Sequence, residues 1–187
     1  MRPIVLTSLL LAAGCSASKE PTYFTLASSP ATSRGGAPAL IELRRPAVAG
    51  HLDRADVVRR VKDYKLDIST NDRWAEPLGD MVGRVLAQDL ASRLGESQLF
   101  VENGAISSLP DVIVAVNVQT FERGADDDVV LVAQVVLDVP RTRQPVRAKR
   151  FELRNKSGGG STQELVASMS TLLGQLADGV AEMLRQR

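Results

Sequence analysis

Apolar residues recur with a helical period in two segments of the chain. The first lies between Pro77, which suits the first turn of a helix, and Gly95, which suits its end. The second follows Ser161 and Glu164, whose spacing is that of a capping box. Spacings of three and four residues predict amphipathic helices over 78–94 and 165–184. The apolar positions are Leu78, Met81, Val82, Val85, Leu86, Leu90 and Leu94 in the first helix, and Leu165, Met169, Leu172, Leu173, Leu176, Val180, Met183 and Leu184 in the second.

Alternation of apolar and polar residues predicts strands between the two helices. Residues 111–121 place a row of valines on one face, and residues 129–139 place only apolar side chains on one face. Strands of this kind cover a core on one side and pair as an antiparallel meander. A third strand over 146–153 completes the meander, and its change of phase between Ala148 and Phe151 predicts a bulge.

Shorter strands are predicted over 23–26, 39–43 and 99–101. Residues 55–69 favour a hairpin that turns near Lys62 and Asp63, and a short helix from Arg54 is the competing interpretation. Together these elements predict an α+β fold of one domain, in which an antiparallel β-sheet packs against two main amphipathic helices.

The N-terminus has the pattern of a secretory signal. Arg2 precedes an apolar segment, and small residues stand before Cys15, the only cysteine of the chain. This pattern is typical of signals cut immediately ahead of a lipid-modified cysteine. A signal cut after Ala12-Ala13-Gly14 that leaves Cys15 as a free thiol is the alternative. The sequence thus predicts a signal peptide at 1–14, a lipidated tether at 15–21 and a domain at 22–187, and the non-aspartate Ser16 indicates sorting to the outer membrane.

Charge and composition narrow the function classes. Without residues 1–14 the chain has 22 basic and 22 acidic residues, because only Arg2 is removed from the 23 Lys and Arg. A nearly neutral chain argues against a nucleic-acid partner, which requires a basic face. A single cysteine excludes an internal disulfide, so the apolar core itself must hold the fold. The long valine-rich sheet has edges, and pairing of edges between copies is one route to a homo-oligomer.

The residue types that carry catalysis or metal binding are sparse. His51 is the only histidine and lies in a loop-like segment, so we expect no chemical role for it. The serines show no nucleophile motif with a nearby base. The acidic run at 126–128 lacks the spaced ligands of a calcium loop, and the glycines at 158–160 lack the lysine of a phosphate loop. We therefore predict no enzyme, no metal and no cofactor other than the diacylglycerol and acyl lipid on Cys15.

Several motifs in their order resemble the ABC-type transport auxiliary lipoprotein family, which includes the paraquat-inducible protein C type lipoproteins. The most specific is the block that opens the first predicted helix. The matching features are Cys15 with its preceding small residues, Tyr23-Phe24 with Leu26, Leu52-Asp53-Arg54 leading to Val57-Val58, Arg73-Trp74-Ala75-Glu76-Pro77-Leu78, and Phe151 followed by the C-terminal helix.

The resemblance implies a non-catalytic component of a mammalian-cell-entry type lipid transport system. The implied partners are a periplasmic mammalian-cell-entry protein, which forms a hydrophobic conduit, and its inner-membrane permease system. The protein would be anchored in the outer membrane, face the periplasm, and dock or receive the conduit. Alternatives are a periplasmic lipid-carrier module and a structural envelope lipoprotein. Arg54, Arg73 and Trp74 are the candidate structural or partner-contact residues, with Trp74 favoured as an anchor of the helix start.

Overall fold

The computed structural model describes residues 20–61, 64–102, 109–124, 126–140 and 147–186. The predicted signal peptide, Cys15 and most of the tether lie outside these residues. The described elements are β1 (Thr22–Phe24), β2 (Leu40–Leu43), β3 (Ala47–Val48), β4 (Asp56–Arg60), β5 (Leu66–Trp74), α1 (Leu78–Leu94), β6 (Gln98–Val101), β7 (Val112–Arg123), β8 (Asp128–Asp138), β9 (Arg147–Lys156) and α2 (Thr162–Arg185).

Both predicted helices are confirmed. Pro77 is the N-cap residue of α1, and Gly95 ends it with a φ of 65°, a left-handed conformation that glycine adopts without strain. The predicted capping box opens α2, because the Ser161 side chain accepts a bond from the Glu164 N–H, while the Glu164 carboxylate accepts one from the Ser161 N–H. The two reciprocal bonds fix where the helix begins.

The larger sheet has the strand order β6-β2-β7-β8-β9, and β3 also pairs with β7. The predicted meander is confirmed, since β7, β8 and β9 are antiparallel neighbours. The sheet as a whole is mixed, because β2 pairs parallel with both β6 and β7. These partners are far apart in sequence, so local alternation carries no information about their pairing.

The bulge predicted in the third meander strand is wrong. The β8–β9 register runs without interruption from Asp128↔Lys156 to Leu137↔Arg147. Ala148 is exposed, so its apolar character does not mark the buried face, and Val146 lies outside the described residues. The irregularity of the meander lies in β7, where the register with β8 shifts between Val118 and Thr120.

A second sheet of three strands has the order β1-β5-β4. The hairpin predicted over 55–69 is confirmed as β4 and β5, which pair antiparallel, and the competing helix from Arg54 does not form. The turn residues 62 and 63 lie outside the described residues. Phe24 pairs in parallel with Trp74, so β1 runs beside the end of β5.

The core lies between the larger sheet and the two helices, which pack on each other. The fully buried side chains include the inward rows of α1, α2, β7 and β8. Gly83 lets α1 approach the segment between β2 and β3, since a Cβ there would meet Pro46 Cδ at 3.0 Å. The α+β class of a single domain is therefore confirmed.

Candidate functional site

The N-terminal strand enters the domain beside the first turn of α2. Thr22 pairs with Asp72 of β5. The Asp72 carboxylate accepts a hydrogen bond from the Thr162 hydroxyl and lies 3.5 Å from the Arg59 guanidinium. Arg59 also donates to Thr162. We call this region, formed by Thr22, Arg59, Asp72 and Thr162, the anchor end of the domain.

Arg54 and Arg73 are brought together by one carboxylate. Arg54 Nε lies 4.0 Å and Arg73 Nε 3.5 Å from the Asp56 carboxylate oxygens. The arginine side chains are 38% and 43% exposed, and pairs this exposed contribute only about 0 to 1 kcal/mol. The guanidinium groups consequently remain accessible at the surface while Asp56 restrains them.

Trp74 ends β5 with its side chain in the core. The residue is 6% exposed, and its backbone N–H donates to the Ala55 carbonyl at 2.7 Å. A ring so deeply covered offers almost no surface to a partner. Burial thus favours the structural role, in which Trp74 fixes the start of α1 against the core.

A buried carboxylate that the sequence analysis missed lies on β7. Glu122 is 1% exposed and accepts a hydrogen bond from Arg60 Nε at 2.8 Å. His51 Nε2 lies 3.2 Å from the other carboxylate oxygen. These contacts hold the 50–54 segment and β4 against the larger sheet, and they give His51 a structural position. Nothing in the local sequence pattern distinguishes Glu122 from an exposed strand residue.

A second buried polar group joins α1, α2 and the segment before β2. Asp89 is fully buried and accepts from the Ser28 hydroxyl at 2.6 Å and the Ser29 N–H at 2.7 Å. Arg93 is 4% exposed and donates to the Ser29 and Gly174 carbonyls at 2.9 and 3.0 Å. A further bond of 2.7 Å reaches the Asp178 carboxylate of α2.

A sequence signal for this group exists. Asp89 stands seven residues after Val82, and Arg93 stands seven residues after Leu86. Both charges thus fall on the apolar stripe of α1, where an opposite pair four residues apart indicates a buried ion pair. The apolar positions of the helix alone do not reveal this pair.

Two of the cavities on the surface formed by the described residues differ in character, and both lie away from the anchor end. One of about 660 Å³ is lined by both charge signs, including Arg34, Arg185 and Glu182. The other, of about 490 Å³, is a more apolar groove along α1 at Gly79 and Gly83. Within the described ranges, no three histidine, cysteine or acidic side chains come together as a metal site.

Among the described residues, neither helix combines the length and apolar content needed to cross a bilayer.

The fold is that of known small α+β domains. One solved structure, of an uncharacterised protein, is 22% identical, with 88% of this chain and 99% of that chain covered and a TM-score of 0.71. Another, a protein from Xanthomonas campestris, is 18% identical over 87% of this chain and 95% of its own, with a TM-score of 0.72. No curated protein matches the chain significantly. At these identities the likeness shows the fold alone.

The sequence itself identifies the family. Residues 24–181 match the family model described as the ABC-type transport auxiliary lipoprotein component. The match spans β1 to α2, so the chain belongs to this family and the resemblance drawn from its motifs is confirmed. Members are lipoproteins that serve as auxiliary components of a transport system, which implies membrane anchoring.

Proposed function

We propose that the protein is the outer-membrane lipoprotein of a mammalian-cell-entry type lipid transport system. In this role it docks or receives the periplasmic conduit and catalyses no reaction. The observation that carries the proposal is the family match, which extends over almost the entire folded domain. Phospholipid or another lipid is the proposed cargo.

The position of the N-terminal strand supports an anchored role. Thr22 is the seventh residue after Cys15, and a fully extended chain of seven residue steps spans at most about 24 Å. A diacylglycerol and a further acyl chain on Cys15 would hold the protein stably, because several chains together anchor where one is marginal. The domain is then confined to the membrane surface, where an arriving conduit can meet it.

The buried ionisable groups support contact rather than catalysis. Glu122 and Asp89 both hold separate elements together, and each carboxylate lies within 4.0 Å of an arginine guanidinium group. The space between sheet and helices is filled by side chains such as Leu86, Leu172 and Val135, which are fully buried. A packed interior favours docking over the alternative of a lipid-carrier module.

The anchor is tested by the Cys15→Ala variant, exported behind a signal that the general signal peptidase removes. We expect the folded domain in the soluble periplasmic fraction and lipid transport lost. Full transport activity from the soluble domain would contradict the proposal.

A matched control changes only the sorting residue. Ser16→Asp keeps the acylated cysteine, and we expect it to leave the protein in the inner membrane on a density gradient. Retention in the outer membrane would show that Ser16 does not direct the sorting that we propose.

A further inference from the structure

Exposed apolar side chains concentrate around the turn between β4 and β5. The described residues leave five large apolar side chains exposed, and three of them, Val61, Tyr64 and Ile68, flank this turn. Tyr64 is the extreme case, since its side chain is fully exposed. We call Val61 and residues 64–68 the β4–β5 tip.

The backbone conformation at Tyr64 disfavours a bulky side chain. Its φ is 64°, a left-handed conformation in which a bulky side chain is uncommon and glycine or asparagine is favoured. The exposed ring makes no packing contact with the described part of the domain that would offset this cost. Local folding therefore does not account for a tyrosine at the β4–β5 tip.

The parallel pairing of β1 with β5 sets the direction from which the chain arrives. Thr22, Tyr23 and Phe24 lie in step with the last three residues of β5. The two described residues before Thr22 therefore lie toward the side of β5 that begins at Leu66, where the β4–β5 tip is. Glu20 and Pro21, the last residues before the strand, are exposed.

Two lengths show that the tip and the anchor reach the same place. Asp72, the partner of Thr22, is the sixth residue after Leu66 in β5, which corresponds to about 20 Å at 3.3 Å per residue. The tether from Cys15 to Thr22 spans at most about 24 Å. A bilayer that holds Cys15 thus lies within reach of the β4–β5 tip.

The opposite end of the domain is too far from the anchor end to contact the same bilayer surface. Thr162 begins α2 at the anchor end, whereas Arg185 near its end donates to the Arg34 and Arg93 carbonyls. The 24 residues of α2 span about 36 Å. Glu96, two residues beyond the end of α1, is exposed at this distant end.

We propose that the β4–β5 tip rests in the headgroup region of the bilayer that carries the acyl chains of Cys15. This proposal rests on the anchor of the proposed function. Tyrosine is enriched at membrane interfaces, where its ring spans apolar and polar surroundings. Lys65 and Asp67 leave the tip without net charge, so its exposed apolar side chains carry the contact. The tip and the acyl chains then form two contacts that orient the domain on the membrane.

Tryptophan fluorescence of the full-length lipoprotein in phosphatidylethanolamine and phosphatidylglycerol vesicles tests this. The single native tryptophan, Trp74, is buried and supplies a constant background. Tyr64→Trp adds an indole at the tip, and Glu96→Trp adds one at the distant end as the matched control. Lipids brominated near the headgroup quench only indoles that enter the bilayer surface.

We expect the fluorescence added by Tyr64→Trp to shift to shorter wavelength and to be largely quenched, and that added by Glu96→Trp to remain unquenched. Equal absence of quenching at both positions would overturn the proposal. Protection from dissolved iodide without quenching by brominated lipid would also overturn it, because a second copy or another protein would then cover the tip. Flotation of the same samples tests the anchor separately, and a chain that fails to float with the vesicles refutes both proposals.

Discussion

The buried guanidinium of Arg93 offers a demanding test of how the domain is held together. Replacing it in Arg93→Met keeps much of the side-chain length and removes every charged hydrogen bond. The Asp89 carboxylate stays fully buried, with one of its oxygens already unpartnered, and loses the only cation near it in the described structure. The segment at 28–29 and the middle of α2 lose their shared donor.

The expected magnitude follows from the burial of each partner. Hydrogen bonds to charged groups contribute about 1.5 to 3 kcal/mol each. The sum over all bonds of Arg93 overstates the loss of stability, because some of its partners regain hydrogen bonds to water in the variant. Asp178 is 62% exposed and recovers water when its partner is removed. Leaving a buried charge without its partner costs about 3 to 5 kcal/mol. We expect this loss for Arg93→Met, which corresponds to a fall in Tm of about 6 to 20 °C for a domain of this size.

Urea unfolding and calorimetry of the domain measure this loss of stability. A variant of Asp89, the buried partner of Arg93, supplies the control. Asp89→Asn still accepts from Ser28 and Ser29 but carries no charge, so the double variant with Arg93→Met should lose less than the sum of the single variants. A loss below about 1 kcal/mol for Arg93→Met, within the range of an exposed pair, would refute the reasoning. So would strict additivity in the double-mutant cycle.

Two further changes test the packing and capping of α2. A Cβ at Gly179 would lie 2.9 Å from Phe151 Cζ and closer to its Cε1, so Gly179→Ala should lower stability by about 1 to 3 kcal/mol in urea unfolding, and a gain would contradict the packing. Ser161→Ala should cost about 1 kcal/mol through loss of the N-cap. Hydrogen bonds from Ser161 hold the pKa of Glu164 below its usual 4.5, so this stabilisation is present above that pH and lost as pH falls through the lowered pKa. The difference between Ser161→Ala and wild type should therefore shrink on acidification, and a difference that grows would show the wrong sign.

The sequence predicts the parts of the fold that local periodicity controls. These parts are the two helices, the hairpin of β4 and β5, and the β7–β8–β9 meander. Each of them joins residues that are close in the chain, so the local pattern of apolar positions is sufficient to predict it. The parallel insertion of β2 between β6 and β7 joins distant segments, and no local pattern specifies it. The bulge expected in the third meander strand illustrates the same limit, because Ala148 is apolar and yet exposed, so its side chain does not mark the buried face.

The candidate site was less predictable because it depends on polar side chains meeting across elements. Asp56 binds both Arg54 and Arg73 only after β4 and β5 pair. Glu122 becomes buried only when Arg60 and the loop at His51 cover its strand. The motifs in the sequence indicate the family, whereas the parallel pairing of β1 with β5 is visible only in the structure.

Crosslinking in intact cells, followed by purification of the full-length protein and mass spectrometry, tests the central claim most directly. We predict recovery of a periplasmic mammalian-cell-entry protein, with less recovered from cells that carry Cys15→Ala. Recovery of only cell-wall or barrel-assembly proteins would contradict the proposed role and favour a structural envelope lipoprotein.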